Sequence, residues 1–412
     1  MLIKIAYRNI WRNKRRTIFC FTAVGIAVFF IVVYSSMITG MINSINDTVQ
    51  IYELGHIKVV SSQYEAESEY MPVQYPVADG KSWKDIADSI YHVPGVRAVM
   101  PRITTMATLQ ESTVKHAILW GLDIEKEMAV NNFNMTNRSD GLLEGRWPAP
   151  GTNECAIGQA FAQKSGLSIG GRIPLKTISS SFSERFWSPQ ITGIFNFDYI
   201  KIDERYIIAD IERLQRLLAL GEGTQSLVIY AADEKQSGAI TASVQNLLGE
   251  DCVVTEWQDN YWVAVMRMVK PLYTIVFLVF LIVASFLIIN TVVMIIHERI
   301  KEIGMMGCLG MTRGEIVQVF FFESILMAAF GALAGVIAGG LIAAVFSKYP
   351  IRMGDLYGNT FSEMPMSNAI FMGFSPFILL RAWVMGVVVA SLFTLIPSLK
   401  SAFVEPVEAL RR

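Results

Sequence analysis

Cysteine and histidine are both scarce in this chain, with four of each in 412 residues. The cysteines (Cys20, Cys155, Cys252, Cys308) are scattered, and no CxxC or Cys/His spacing points to a metal site. His56, His92, His116 and His297 are equally dispersed and read as structural or surface residues rather than catalysts. No GxxxxGK[ST] segment occurs, so the chain cannot cradle a nucleotide phosphate in the P-loop manner. HExxH, GxSxG and paired-carboxylate patterns are missing too, which removes the common hydrolase chemistries. A net charge of −1 gives no bulk electrostatic case for nucleic-acid binding. Charge itself is sparse: 17% of residues are charged and 52% are hydrophobic, with mean hydropathy +0.40. That is too apolar for an ordinary soluble chain.

What is present is long and apolar. Residues 17–46 carry no charge, residues 271–296 carry neither charge nor histidine, and residues 316–347 carry only Glu323. Each run exceeds the roughly 20 helical residues that cross a bilayer core of about 30 Å. A fourth apolar run covers residues 378–399. The first run is too long for a signal-peptide core and lacks a small-x-small site after it, so it reads as an uncleaved anchor. No polar stripe runs through these segments, as an ion-coupled transporter needs. Glu323 is the only charge in its run, whereas a proton relay needs a chain of ionisable groups.

The charges gather in residues 47–270. The expected fold is therefore an α-helical membrane protein with four transmembrane helices and a large α+β domain inserted between the first and second. Within the insertion, LGHIKVVSS alternates as a half-buried strand does, and SWKDIADSIYHV follows a Ser82 cap and stops at Pro94-Gly95. A short helix is expected at residues 159–164 and longer ones at IERLQRLLAL and GAITASVQNLLGE. RAVMPRITTMATLQ, VKHAILWGLD, ITGIFNFD, SLVIYAAD and CVVTEW read as strands. Two β-α-β-like groups, about 47–101 and 200–256, flank a strand-rich subdomain at about 102–199, and residues 257–270 form a helical stalk. Cys155 and Cys252 either pair in an oxidising compartment or stay separate as buried thiols.

Residues 1–16 interleave apolar and basic side chains, either as an amphipathic helix in the headgroup layer or as a plain basic tail. The loop at 297–315, the tail at 400–412 and this N-terminal stretch hold the basic excess, which places all three in the cytoplasm and leaves 348–377 as an outer loop. Gly331, Gly335 and Gly339 recur every four residues and allow close helix approach, within one chain or across a dimer. Met37, Met41, Ile42, Val263, Met266 and Met268 lie near the outer ends of the first two helices. They are either adaptable contacts for apolar cargo or plain packing.

Three segments, in order, carry a resemblance: AYRNIWRNKRRTIFCFTAVGIAV, HERIKEIGMMGCLGMTRGEIVQVFFFES and IPSLKSAFVEPVEALRR. Together they resemble the MacB/FtsX-like permeases of ABC systems. LLEGRWPAPGTNECAIGQAFAQKSGLSIGGRIPL and ITGIFNFDYIKIDERYIIADIERLQRLL are similar to the lipoprotein-releasing branch. The resemblance implies a non-catalytic permease of the bacterial inner membrane with a periplasmic domain, paired with a second permease copy or a related paralogue. It implies a cytoplasmic ABC ATPase dimer as partner, which binds ATP and Mg in place of this chain. It implies a coupling helix at Glu302, Ile303, Gly304, Met305, Met306, Gly307, Leu309 and Gly310, though Met-Met-Gly-Cys stands where many relatives have a basic or small residue. The function it implies is extraction of lipoproteins by mechanotransmission, with a periplasmic lipoprotein carrier as acceptor and no nucleic acid. Two alternatives stand beside it. MacB-type efflux of peptides or small toxic molecules usually comes with a fused N-terminal ATPase domain. An FtsX-type activator of a cell-wall hydrolase usually has a smaller outer domain.

Overall fold

Hydrophobic runs without punctuation become long helices. The computed structural model describes residues 14–77, 82–109, 114–131, 141–298, 305, 311–352 and 364–402. Residues 1–13 and most of the loop after Glu298 lie outside them. The described chain forms two units, one of Met1–Ile42, Arg267–Ile351 and Phe371–Arg412, the other of Asn43–Met266 and Arg352–Ile370.

The first unit is helical. It takes most of α1 (Lys14–Thr48), the later part of a helix running Tyr261–Glu298, and the whole of helices Arg313–Phe346 and Pro376–Ala402. Among the described residues, three helical stretches are long and apolar enough to cross a membrane: Thr17–Glu53, Arg313–Phe346 and Pro376–Leu395. The helix at Tyr261 continues unbroken through Pro271. Helix Arg313–Phe346 starts at a capping box, in which Thr312 and Glu315 satisfy each other's backbone amides. Val24, Val28, Met327, Ala328, Ala332, Ala382 and Ala390 fill the helical core, and Glu323 is buried.

The three glycines spaced by four face α1 of the same chain. A Cβ at Gly331 would lie 2.7 Å from the Phe21 carbonyl, and one at Gly339 would lie 2.9 Å from Val32 Cβ. At Gly335 it would run into the Gly25 carbonyl, with Phe29 N at 3.0 Å. Backbones this close leave no room for a side chain. Gly335→Leu is therefore expected to destabilise the helical unit by about 3 kcal/mol, the upper end for overpacking. A lowered thermal midpoint of the purified chain in detergent checks it; an unchanged midpoint refutes the intramolecular fit.

The second unit is built on one sheet. Its strands are β1 (Ile57–Ser61), β2 (Val96–Leu109), β3 (His116–Leu122), β4 (Leu142–Gly145), β5 (Glu154–Gly158), β6 (Leu175–Ile178), β7 (Glu184–Trp187), β8 (Gln190–Phe195), β9 (Tyr206–Asp210), β10 (Ser226–Ala231) and β11 (Cys252–Glu256). The spatial order is β11-β1-β10-β2-β3-β9-β5-β8-β4, with β6 against β2 and β7 against β6. Pairing is antiparallel except for β3 with β9 and β5 with β8.

The long strand β2 crosses between two halves. Residues 96–102 pair with β10 and residues 102–108 pair with β3. On the first half, helices α2 (Trp83–Tyr91) and α3 (Ser237–Leu248) cover a core of Ile57, Val59, Ile90, Leu227, Ile229, Ile240 and Val244. The Ser82 hydroxyl caps α2 by accepting from Lys84 N. The second half is covered by helices Gln159–Ser165 and Ile211–Leu218 over Ile103, Leu119, Ile157, Phe161, Ile207 and Leu214. Strand β9 pairs with both β3 and β5. By strand pairing, then, the inserted half extends past residue 199 and takes in Tyr206–Asp210 and Ile211–Leu218. Cys155 and Cys252 are both free and buried, Cys155 in the inserted half and Cys252 in the first.

The segment Arg352–Ile370, within the expected outer loop, belongs to the sheet-containing unit. Its described residues supply buried Ser367, Ala369 and Ile370, which no local pattern marks as core.

Candidate functional site at the helix-to-sheet junction

Helix α1 does not simply end. After Thr48 the backbone widens into a π-helical turn, Val49–Glu53, and Leu54 N donates to Val49 O at 2.9 Å. The last carbonyls of a helix have no partner within it and carry partial negative charge. Arg102, at the crossing point of β2, meets them. Its Nη2 donates to Ile51 O at 3.0 Å and its Nη1 to Tyr52 O at 3.3 Å. The same guanidinium grips both carboxylate oxygens of Glu127 through Nε and Nη2, at 2.6 Å and 3.0 Å, and donates to the Tyr230 hydroxyl at 2.8 Å. Its Cζ lies 5.4 Å from the Trp120 ring centroid. Arg102 and Glu127 side chains are 3% and 0% exposed, so water screens nothing here. Burial works against the charge on Arg102, but Glu127 and Tyr230 outweigh it and hold the guanidinium above its ordinary pKa.

Next to it, Glu53 forms a second node. Its Oε1 accepts from the Tyr199 hydroxyl at 3.2 Å and lies 3.5 Å from Lys201 Nζ, and its Oε2 accepts from Asn260 Nδ2 at 3.3 Å. Asn260 Oδ1 in turn accepts from Trp262 N at 2.9 Å, at the start of α4 (Tyr261–Glu298). Trp257 N donates to His56 O, and His56 Nδ1 accepts from Ala231 N, each at 3.0 Å. One network therefore ties the last turn of α1 and the first turn of α4 to both halves of the sheet. Tyr52 stacks on Phe197 at 5.0 Å and Phe197 on Phe195 at 4.7 Å, giving the network an aromatic floor.

Beneath that floor lies Asp203, whose Oδ1 accepts from Phe197 N at 2.8 Å. Burial pushes its carboxyl up to about 8, against the backbone donation from Phe197. An acid whose folded pKa is raised favours the folded state most at low pH, below its unfolded value near 4. That advantage is lost as pH rises through about 8. Asp203→Asn is expected to flatten the fall in stability between pH 4 and pH 8, by a few kcal/mol in order of magnitude. Urea midpoints of the two proteins across that window check it; parallel curves would exclude Asp203 as the titrating group.

The expected apolar contact residues separate. Val263 and Met266 are buried in a cluster with Ile45, Val49 and Trp257, onto which Met364 and Met366 pack. Met268 is 80% exposed and Met37 is 39% exposed, while Met41 and Ile42 are half-buried. Among the coupling residues, Met305 is helical and exposed; Glu302, Ile303, Gly304, Met306, Gly307, Leu309 and Gly310 lie outside the described residues. No group of three His, Cys, Asp or Glu side chains that could hold a metal occurs among the described residues. The junction residues Arg102, Glu127, Tyr230, Glu53 and Asn260 escaped the sequence reading. The one available signal was an arginine in the middle of a strand, between Met100 and Ile103.

The chain combines long apolar helices with a large α+β domain, which defines a membrane protein with a folded domain of its own. The comparisons give the family. The MacB-like periplasmic core domain matches residues 17–247, and the FtsX-like permease C-terminal domain matches residues 274–406. The chain belongs to the MacB/FtsX-like family of ABC transporter permeases. It is similar to the lipoprotein-releasing system transmembrane protein LolC of Neisseria meningitidis, at 21% identity over 87% of this chain and 88% of that protein. The LolE protein of Haemophilus influenzae is 20% identical over 95% and 93%. The macrolide export protein MacB 1 of Escherichia coli is 23% identical over 58% of this chain and 30% of that one. Among solved structures, the periplasmic region of MacB from Actinobacillus actinomycetemcomitans aligns with TM-score 0.34 at 10% identity, covering 54% of this chain and 98% of that one.

Proposed function

We propose that this chain is the permease subunit of an ABC transporter that extracts lipoproteins from the bacterial inner membrane, driven by ATP hydrolysis in a separate subunit. It crosses the membrane four times, with both termini and the loop at 297–315 in the cytoplasm and the sheet domain in the periplasm. The ATPase dimer binds ATP and Mg and grips the segment from Glu302 to Gly310; a second permease, identical or paralogous, completes the complex. Released lipoprotein passes to a periplasmic carrier. The observation that carries this reading is the junction, where Arg102 and Glu53 bind the outward ends of two long helices to one rigid sheet. A structure tied in this way turns a small helix displacement into movement of the whole domain, and nothing need cross through the helices. The extent of similarity supports the cargo, because likeness to the lipoprotein-releasing proteins spans 87% and 95% of the chain.

The test is to purify the complex with its ATPase and identify what travels with it by mass spectrometry. Triacylated proteins are the expected finding. A peptidoglycan hydrolase would point to a signalling permease, and peptides or small hydrophobic toxins would point to efflux; either would overturn the cargo assignment.

A further inference from the structure

The segment between the helices ending at Phe346 and starting at Pro376 holds on to parts of the chain about 100 residues away or more. Ser367 N donates to the buried Ser44 Oγ at 3.1 Å, in the last turns of α1. Asn368 N donates to Asp198 O, in the inserted half of the sheet domain. Met364 and Met366 pack on Ile45, Val49 and Val263. Ser367 Oγ is itself committed, accepting from Ala369 N at 3.1 Å, which fixes the local turn. Ser367, Ala369 and Ile370 are 3%, 3% and 4% exposed. Three separate elements thus converge on one short piece of chain: the end of α1, the start of α4, and the loop after β8.

We infer that residues 364–370 are a third tether of the sheet domain, and that Met364, Met366 and Ser367 are positioning residues for its coupling to the helices that follow. The two tethers already described are the chain crossings at α1 and α4, where covalent continuity makes attachment unavoidable. This one is different, because nothing in the connectivity requires a loop between two later helices to be buried in the domain. Backbone amides bind Ser44 and Asp198, so the hold does not depend on exposed side chains that thermal motion would average. Its chemistry is also selective. Two thioethers pack against a cluster drawn from two helices and a tryptophan, a task that suits flexible, polarizable side chains. A domain displacement that moves the end of α1 carries this segment with it, and the continuous chain delivers the pull to the helix starting at Pro376.

The inference rests on the ABC-permease reading for its energy source but not on the lipoprotein assignment. Hydrogen–deuterium exchange on the full chain, reconstituted with its ATPase in nanodiscs, tests it. In Met364→Ser/Met366→Ser, the amides of residues 367 and 368 should exchange at least tenfold faster. An ATP-dependent exchange change in residues 376–390, present in the unaltered complex, should vanish while ATP is still hydrolysed. The same ATP-dependent change surviving in this loosened variant would overturn the tether. A second protein, Ser44→Cys/Ser367→Cys, guards against a folding defect in the first. After oxidation to the disulfide it should keep the ATP-dependent change, and its loss on oxidation would mean that the segment must undock, which also overturns the inference. Cargo that turns out not to be lipoprotein leaves every one of these readings intact. An unaltered complex that shows no response to ATP overturns the transport reading together with the tether.

Discussion

Arg102→Met should destabilise the sheet domain by about 3–5 kcal/mol, the range for removing one partner of a buried ion pair. For a domain of this size that is a fall in thermal midpoint of roughly 10 °C. The size follows from what the guanidinium does. It is the bidentate partner of a carboxylate with no exposure, it satisfies two carbonyls at the end of α1, and it donates to the Tyr230 hydroxyl. Methionine has similar length and supplies none of these donors. Arg102→Lys should recover little, because an ammonium is a compact charge and cannot span Glu127, Ile51 and Tyr52 with a planar fork. Arg102→Met/Glu127→Met should recover most of the loss, since apolar groups of similar volume often replace a buried ion pair at small cost. The double variant then separates stability from function. Its domain is folded, but the last turn of α1 is no longer fixed to β2, so ATP hydrolysis should continue while cargo release falls. Circular dichroism melts and release assays on the same preparations check both halves. A double variant that melts like the single one would show that the carbonyl contacts, not the ion pair, carry the stability.

The division between what local sequence revealed and what it hid follows the range of the interactions. Charge-free runs announce long helices because every residue in them bears the same signal. Ser82 before an amphipathic stretch announced the helix now seen at Trp83–Tyr91, and strand alternation at residues 54–62 announced Ile57–Ser61. These features depend on neighbours within a few positions. The junction does not. Arg102 binds groups 25, 50, 51 and 128 positions away, and Glu53 binds Tyr199 and Asn260 at separations of 146 and 207. No window of sequence contains both partners. The same holds for the extent of the inserted half. Tyr206–Asp210 follows directly on a helix and resembles any flank strand, and only its parallel pairing with β3 shows where it belongs. The burial of residues 364–370 was hidden because its two methionines and one serine carry no periodicity of either helix or strand.

The second large effect is expected in the loop proposed to meet the ATPase. Glu302→Lys or Gly304→Trp should abolish cargo-stimulated ATP hydrolysis, lowering it at least tenfold, while the chain still inserts and folds. The physical case begins with the flanks. Helix α4 is described as far as Glu298, and the helix that follows is fixed at its start by the Thr312–Glu315 capping box, in which Glu315 N lies 3.4 Å from Thr312 Oγ1 and Thr312 N lies 2.9 Å from a Glu315 carboxylate oxygen. The chain between them is continuous with both helices, so a partner that grips it pulls on both. Met305 offers an exposed apolar side chain for that grip. An indole at position 304 adds bulk that a docked partner would have to accommodate. Reversing the charge at Glu302 replaces an attraction with repulsion against whatever cation the partner presents. Both positions belong to the helical unit, so the melting transition of the sheet domain should not move. Co-purification of the ATPase, basal hydrolysis and stimulated hydrolysis, measured side by side, distinguish lost docking from lost transmission. Full stimulation in both variants would remove this loop as the inlet for energy and require the partner to push on the chain elsewhere.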